Sequence, residues 1–290
     1  MTSFPTPDPR TLRVASLNVN GIRAAVRRGL DRWLELRAPD VIGLQEVRCP
    51  PELVPPLPGW HLSLDAGSLA GRNGVALLTR ERPSAVRTGI GHTAFAREGR
   101  YLEVDLDGAG LTVASLYLPK GDRPHADAVA GRSVDGGGAA GARHRRKLRF
   151  MASLARQLTD SRRAAARAGR EFLVMGDFNI AHTAADLSNP KANARSSGFL
   201  PVEREWFDRL LSPRRLVDVV RRLHPDEQGP NSWWTWRGSA FDRDAGWRID
   251  YQLASPGLAA RALRAGTDRE PDYASRMSDH SPVLADYARG

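Results

Sequence analysis

A single cysteine, Cys49, stands among the 290 residues, so no disulfide can form within the chain and no cysteine-rich zinc centre can be assembled. That excludes the small secreted folds that depend on cross-links and fits a reducing, cytoplasmic setting. Lysine is nearly as scarce. Lys120, Lys147 and Lys191 are the only three, and the rest of the 43 basic residues are arginine. No run of about 18 apolar residues occurs, so nothing reads as a membrane-spanning helix and no membrane association is expected. Residues 1–10 carry Pro5, Pro7 and Pro9 without an apolar stretch, and read as a disordered arm instead of a secretory signal.

What is present is a basic chain of net charge +10, long enough to bury a sizeable core. The charge has two readings. It is either a solvated arginine-rich surface or the field that draws an anionic polymer and releases its counterions. Composition leaves both open.

Short apolar runs alternate with helical patterns along the whole chain, an α/β rhythm. Strands are expected at Leu12–Leu17, Val41–Gln45, Gly74–Thr79, Tyr101–Leu106, Leu111–Leu116, Phe172–Met175, Arg248–Leu253 and Val283–Ala285. Val26, Leu30, Trp33 and Leu34 predict one helix over Arg23–Leu36, and Leu148, Met151, Leu154 and Leu158 predict another. A third helix opens at Pro201, with Trp206, Phe207, Leu210 and Leu211 on one stripe. Residues 121–142, rich in Gly, Ala and Arg, read as a flexible loop, and 181–197 as a polar loop.

Polar side chains collect where these strands end. Asn18 and Asn20 leave the first strand on one side, by the two-residue period. Gln45-Glu46 ends the second strand, and Asp177 and Asn179 leave another at the same spacing. Asp250 lies within a sheet-like segment, and Ser278-Asp279-His280 precedes the last strand. Strand exits are where a sheet gathers a site. Each residue alone also fits a turn or a surface ion pair. Together they offer hard oxygen donors suited to Mg²⁺ and an imidazole beside them for proton handling in phosphoester hydrolysis.

The chain resembles the exonuclease III type apurinic/apyrimidinic (AP) endonucleases of the endonuclease/exonuclease/phosphatase superfamily. The resemblance is carried by Leu17-Asn18-Val19-Asn20-Gly21-Ile22-Arg23, Pro39-Asp40-Val41-Ile42-Gly43-Leu44-Gln45-Glu46, Tyr117-Leu118-Pro119 and Gly176-Asp177-Phe178-Asn179. It continues through Asn189-Pro190-Lys191, Phe199-Leu200-Pro201, Trp247-Arg248-Ile249-Asp250 and Ser278-Asp279-His280, spanning Arg13 to Tyr287 in order.

This resemblance implies an α/β (α+β) four-layer sandwich, two packed mixed or antiparallel sheets flanked by helices. It implies one domain over 11–290 with the site at one end. It implies a Mg²⁺-dependent DNA phosphodiesterase, with Mn²⁺ as a substitute, that cuts 5′ to abasic sites or removes nucleotides from 3′ ends of duplex DNA. The partner is then abasic or 3′-recessed double-stranded DNA, the default state a monomer and the setting the nucleoid. A superfamily phosphatase acting on a non-DNA phosphoester is the alternative.

By the same resemblance Glu46 is the principal metal ligand, with Asn18, Asn20, Asp279, Asp177, Asn179 and His280 around the metal. His280 is oriented by Asp250, and Tyr117 and Asn179 hold phosphate oxygens or the water. Whether Asp177 or His280 takes the proton is left open. Arg23, Asn189, Lys191, Asn193 and Arg195 are expected to contact DNA phosphates. Trp233, Trp247 and Ile249 are expected to form a pocket for a flipped baseless sugar, although a tryptophan cluster also suits a core. Two features depart from the family pattern: the glycine-rich stretch after Lys120, and Asn20 where some relatives carry Asp, which leaves one or two metals open.

Overall fold

The structure is a computed structural model that describes residues 4–122 and 139–290. Its strands in chain order are β1 Thr11–Asn18, β2 Val41–Gln45, β3 His61–Asp65, β4 Val75–Thr79, β5 Ala85–Thr88, β6 Tyr101–Leu106, β7 Leu111–Tyr117, β8 Glu171–Asp177, β9 Val217–Asp218, β10 Asp250–Ala254, β11 Ala262–Thr267 and β12 Val283–Ala288. They form two six-stranded sheets, ordered β11-β12-β1-β2-β4-β3 and β5-β6-β7-β8-β10-β9. Each sheet has one parallel pair at its centre, β1 with β2 and β7 with β8, and the other pairings are antiparallel.

Alternation along the central strands builds four layers, because successive side chains point to opposite faces. Val14, Val41, Val75 and Leu77 of the first sheet meet Val104, Val113, Leu173 and Met175 of the second in one apolar core. Ala15, Leu17, Ile42, Leu44 and Leu78 face outward onto helices α1 (Ile22–Arg27) and α2 (Leu30–Arg37). On the far side Leu116, Phe172 and Val174 pack against Phe150, Met151 and Leu154 of helix α3 (Ala139–Arg167) and against Trp206 and Phe207 of the helix Pro201–Leu210. The four-layer α/β sandwich expected from the sequence is the observed fold.

Three local expectations need correction. The single helix over 23–36 is two helices, because Gly29 takes φ +101° and turns the chain between them. Residues 4–10 are not a free arm: Phe4 is buried, its carbonyl accepts from Arg37, and that of Pro5 accepts from Arg13. The loop placed at 121–142 ends earlier, since α3 already begins at Ala139; residues 123–138 lie outside the described residues.

Candidate active site

The topology delivers the polar residues to one end of the sandwich. The parallel strands β1 and β2 finish there with Asn18 opposite Gln45, and β7 and β8 with Tyr117 opposite Asp177. Strand β10 runs the other way and starts with Asp250 opposite Asp177. Strand β12 begins with Val283 opposite Ser16, so Asp279 and His280 enter at this same end. Beyond the strands the chain turns sharply: Asn20, Glu46 and Asn179 adopt φ of 45°, 51° and 48°. A left-handed conformation costs a non-glycine residue on the order of 1–2 kcal/mol, least for Asn, and persists where the surroundings over-determine it. Here Gly21 N–H donates to the Glu46 carbonyl at 2.8 Å, and Asn179 N–H donates to Asp177 Oδ1 at 2.8 Å.

Asn18 is fully buried and bridges two carboxylates, its Nδ2 donating to Glu46 Oε1 and Asp177 Oδ2 at 2.9 Å each. Its oxygen accepts from the N–H of Asn20 at 3.0 Å, so Asn18 ties both acids to the turn that follows β1. Asn20 Nδ2 donates to Asp279 Oδ1 at 2.8 Å, and Trp233 Nε1 to Asp279 Oδ2 at 3.2 Å. Glu46 Oε2 pairs with Arg48. Asn179 Nδ2 lies between the Leu118 carbonyl, 2.9 Å, and Asp177 Oδ2, 3.2 Å. His280 Nδ1 meets Asp250 Oδ2 at 2.8 Å while its Nε2 stands 3.9 Å from Asp177 Oδ2. Ser232 Oγ donates to the same Asp250 oxygen at 2.6 Å.

Burial sets the charge states. Burial opposes a proton charge on His280, but the adjoining Asp250, with Asp177 and Asp279 nearby, outweighs it and the imidazole is pushed up to about 10. Burial raises Asp177, His280 lowers it, and the neighbouring Asp250 and Glu46 raise it again, leaving the carboxyl at about 7. Burial also works against charge on Asp279, yet His280 and the hydrogen bonds from Trp233 and Asn20 hold it below the usual range. Tyr117 is raised by burial and by Glu46 and Asp177, so it stays a neutral donor.

Above these groups opens a cavity of about 370 Å³. Asn20, Glu46, Tyr117, Asp177, Asn179, Asp279 and His280 form one side, and Asn193, Trp233, Trp247 and Ile249 another. Backbone bridges from Trp233 to both Trp247 and His280 bind the aromatic wall to the polar floor. Asn18 and Asp250 lie buried beneath the lining. Arg23, Lys191 and Arg195 are exposed outside the cavity, and Asn189 caps a one-turn helix by accepting from Ala192 N–H at 3.3 Å. Sequence reading missed Arg48, Lys120, Ser196 and Ser197, all of which line the cavity. Arg48 follows Glu46 by two residues, a spacing that signalled it; the two serines carried no signal.

The donor set fits a hard divalent cation. Glu46, Asp177 and Asp279 are carboxylates that line one cavity with Asn20, and such a metal needs only one or two of them. Among the described residues, Asp177, Asp250 and His280 are the acidic and imidazole groups whose ligand atoms lie within 4.8 Å of one another. In that trio, however, His280 Nδ1 is engaged by Asp250, the geometry of an oriented imidazole.

Comparison with known proteins identifies the family. The model of the Endonuclease/Exonuclease/phosphatase family matches residues 15–280. The DNA repair nuclease APEX1 of Danio rerio is 31% identical over 283 residues, covering 94% of this chain and 81% of the relative. The exodeoxyribonuclease of Bacillus subtilis (strain 168) is 30% identical over 275 residues, covering 94% and 98%. Among solved structures, an AP endonuclease from Archaeoglobus fulgidus superposes with a TM-score of 0.80 at 26% identity, over 95% of this chain and 99% of that one. With its strand-end carboxylates, oriented imidazole and two-sheet frame, the chain belongs to the Endonuclease/Exonuclease/phosphatase family, on its exonuclease III type AP endonuclease branch.

Proposed function

We propose that this DNA-repair nuclease takes duplex DNA at an abasic deoxyribose and hydrolyses the phosphodiester on its 5′ side, and that the same cavity removes nucleotides at recessed 3′ ends. Glu46, with Asn20 and Asp279, would hold Mg²⁺, or Mn²⁺ as a substitute. When bound, the cation neutralises charge on the phosphoryl oxygens. The protein's own groups do the rest. His280, kept protonated by Asp250, donates from Nε2 to a phosphoryl oxygen, the Tyr117 hydroxyl donates to another, and Asn179 Nδ2 holds Asp177 in place. An imidazole already carrying its proton cannot accept another. Asp177, its carboxyl raised by burial and 3.9 Å from His280 Nε2, is therefore the group that takes the proton of the attacking water. The bond from phosphorus to the 3′-oxygen breaks, that oxygen takes a proton from solvent to become a 3′-hydroxyl, and Asp177 returns its proton to solvent. Trp233, Trp247 and Ile249 receive the extruded baseless sugar, whose extrusion costs less because no base has to unstack.

The observation that carries this reading is the contact of Asp177 with the His280–Asp250 pair, Nε2 to Oδ2 at 3.9 Å, directly below an aromatic wall. The test is nicking of a duplex with one abasic site, compared with an intact duplex, a recessed 3′ end and an inositol phosphate. Metal-dependent, chelator-sensitive cutting of the abasic strand is expected. Faster turnover of the inositol phosphate than of the abasic duplex would overturn the assignment to DNA.

A further inference from the structure

Helix α3 carries one side chain that the proposed chemistry does not use. Lys147 is fully buried, and its ammonium stands 2.7 Å from Oε1 of the equally buried Glu203. It also donates to the backbone carbonyl of Asn179 at 2.9 Å. The Asn179 peptide is thus held on both sides, its N–H by Asp177 and its carbonyl by Lys147, in the left-handed conformation that aims its side-chain amide at Asp177. Glu203 meanwhile accepts from Gly198 N–H at 2.6 Å, from Leu200 N–H at 3.0 Å and from Ser197 Oγ at 3.3 Å. Gly198 packs so closely that an added Cβ would lie 3.0 Å from the Asn179 carbonyl oxygen and 3.4 Å from the Trp247 ring. One ion pair therefore joins Asn179 to the cavity wall of Ser197 and Gly198.

We propose that Lys147 is a positioning residue for phosphoester cleavage, acting through the Asn179 carbonyl to keep the Asn179 amide on Asp177. The inference rests on the nuclease reading above. Without the ammonium, the Asn179 carbonyl loses its buried donor and the strained turn relaxes, because such conformations persist only when their surroundings over-determine them. The amide then drifts from Asp177, and turnover falls while substrate affinity, set by the aromatic wall and the basic rim, changes little.

The experiment uses the full chain with Lys147→Met and with the double change Lys147→Met/Glu203→Gln. The single change leaves Glu203 buried and unpaired, so its melting temperature drops. The double change removes that orphaned charge and recovers most of the lost melting temperature. In the double variant kcat on the abasic duplex is expected at least tenfold below wild type with KM within threefold, and the Asn179 side-chain amide resonance of ¹⁵N-asparagine protein is displaced. Arg13→Met, which breaks the buried Arg13–Asp286 pair at the opposite end of β1, serves as a comparison that lowers the melting temperature but keeps kcat within twofold. A double variant with wild-type kcat, or one whose Asn179 resonance does not move, overturns the proposal. Failure of wild type to cut abasic DNA would count against the nuclease reading alone, since the resonance is read without substrate.

Discussion

His280 is buried and still holds a proton far above neutrality, because Asp250 at 2.8 Å compensates the charge better than water would at that depth. This has a thermodynamic signature. A group whose folded pKa exceeds its unfolded value stabilises the fold fully below the unfolded value and loses that contribution as pH rises through the folded one. For His280 the window runs from about 6.5 to about 10. Metal-free wild type should therefore lose stability relative to Asp250→Asn across that window, at no more than about 1.4 kcal/mol per pH unit. Denaturant melts at pH 6, 8 and 10 check it; a constant difference would mean that the imidazole is neutral. Asp177, also raised, contributes in the same sense between about 3.8 and about 7. A second prediction separates the metal-facing carboxylate from the imidazole. Glu46→Ala should lose activity that excess Mg²⁺ restores in part, because on the proposed assignment Asp279 and Asn20 would still hold the metal. His280→Ala should not respond to metal, since a donor to phosphate has been removed. Titrating Mg²⁺ against single-turnover rates decides, and equal rescue of both would refute the division of roles.

At the scale of elements, the site depends on how strands end. Gly176, the residue before Asp177, adopts φ +142° and lies so close to β7 that an added Cβ would overlap the Leu116 carbonyl oxygen. Gly176→Ala should thus force β7 and β8 apart at the point where Tyr117 and Asp177 pair. A loss of about 3 kcal/mol or more is expected from the strained backbone and the overlap together. The urea midpoint measures it, and a shift under about 1 kcal/mol would show that the strands absorb the methyl group. Edge position explains which elements were legible in the sequence. The strands found from sequence are interior to the two sheets and buried along their length, so apolar residues dominate them, as in Val41–Gln45 and Val75–Thr79. The four that escaped are the four sheet edges, β3, β5, β9 and β11. Their partial exposure, as in the pattern of Ala85–Thr88, and the two-residue length of β9 leave no such apolar stretch. The site residues were legible for a related reason: Asn18 and Asp177 close buried strands, and Asn20 and Asn179 follow two residues on, although the chain there turns instead of continuing extended. Lys147 was not, because on a helix dense with arginine its burial comes from tertiary packing against Glu203 and Asn179, which no local pattern carries.

For the whole molecule, the two sheets are joined at the site by hydrogen bonds as well as by apolar packing. Gln45 Nε2 donates across to Ser115 Oγ at 3.0 Å, and Ser115 Oγ donates back to the Leu44 carbonyl at 3.1 Å. The first sheet supplies Glu46 and Asp279 and the second Asp177 and Asp250, so neither sheet holds the cavity alone. The chain carries net charge +10, with Arg48 and Lys120 lining the cavity, and the two readings of that charge now differ in a measurable way. If arginine merely solvates the surface, Lys191, exposed outside the cavity, contributes nothing to substrate capture. If the surface tracks a DNA backbone, each phosphate contact releases a condensed counterion, so that removing one contact makes the logarithm of affinity less steep in the logarithm of salt by about 0.9. Lys191→Ala is expected to leave kcat within twofold, raise KM for the abasic duplex, and flatten the salt dependence of kcat/KM by about that amount. Such a result separates capture from chemistry, because the chemical groups lie inside the cavity and Lys191 does not. An unchanged salt slope would take Lys191 off the DNA path and assign the steering to residues closer to the cavity mouth, of which Lys120 and Arg48 already line it.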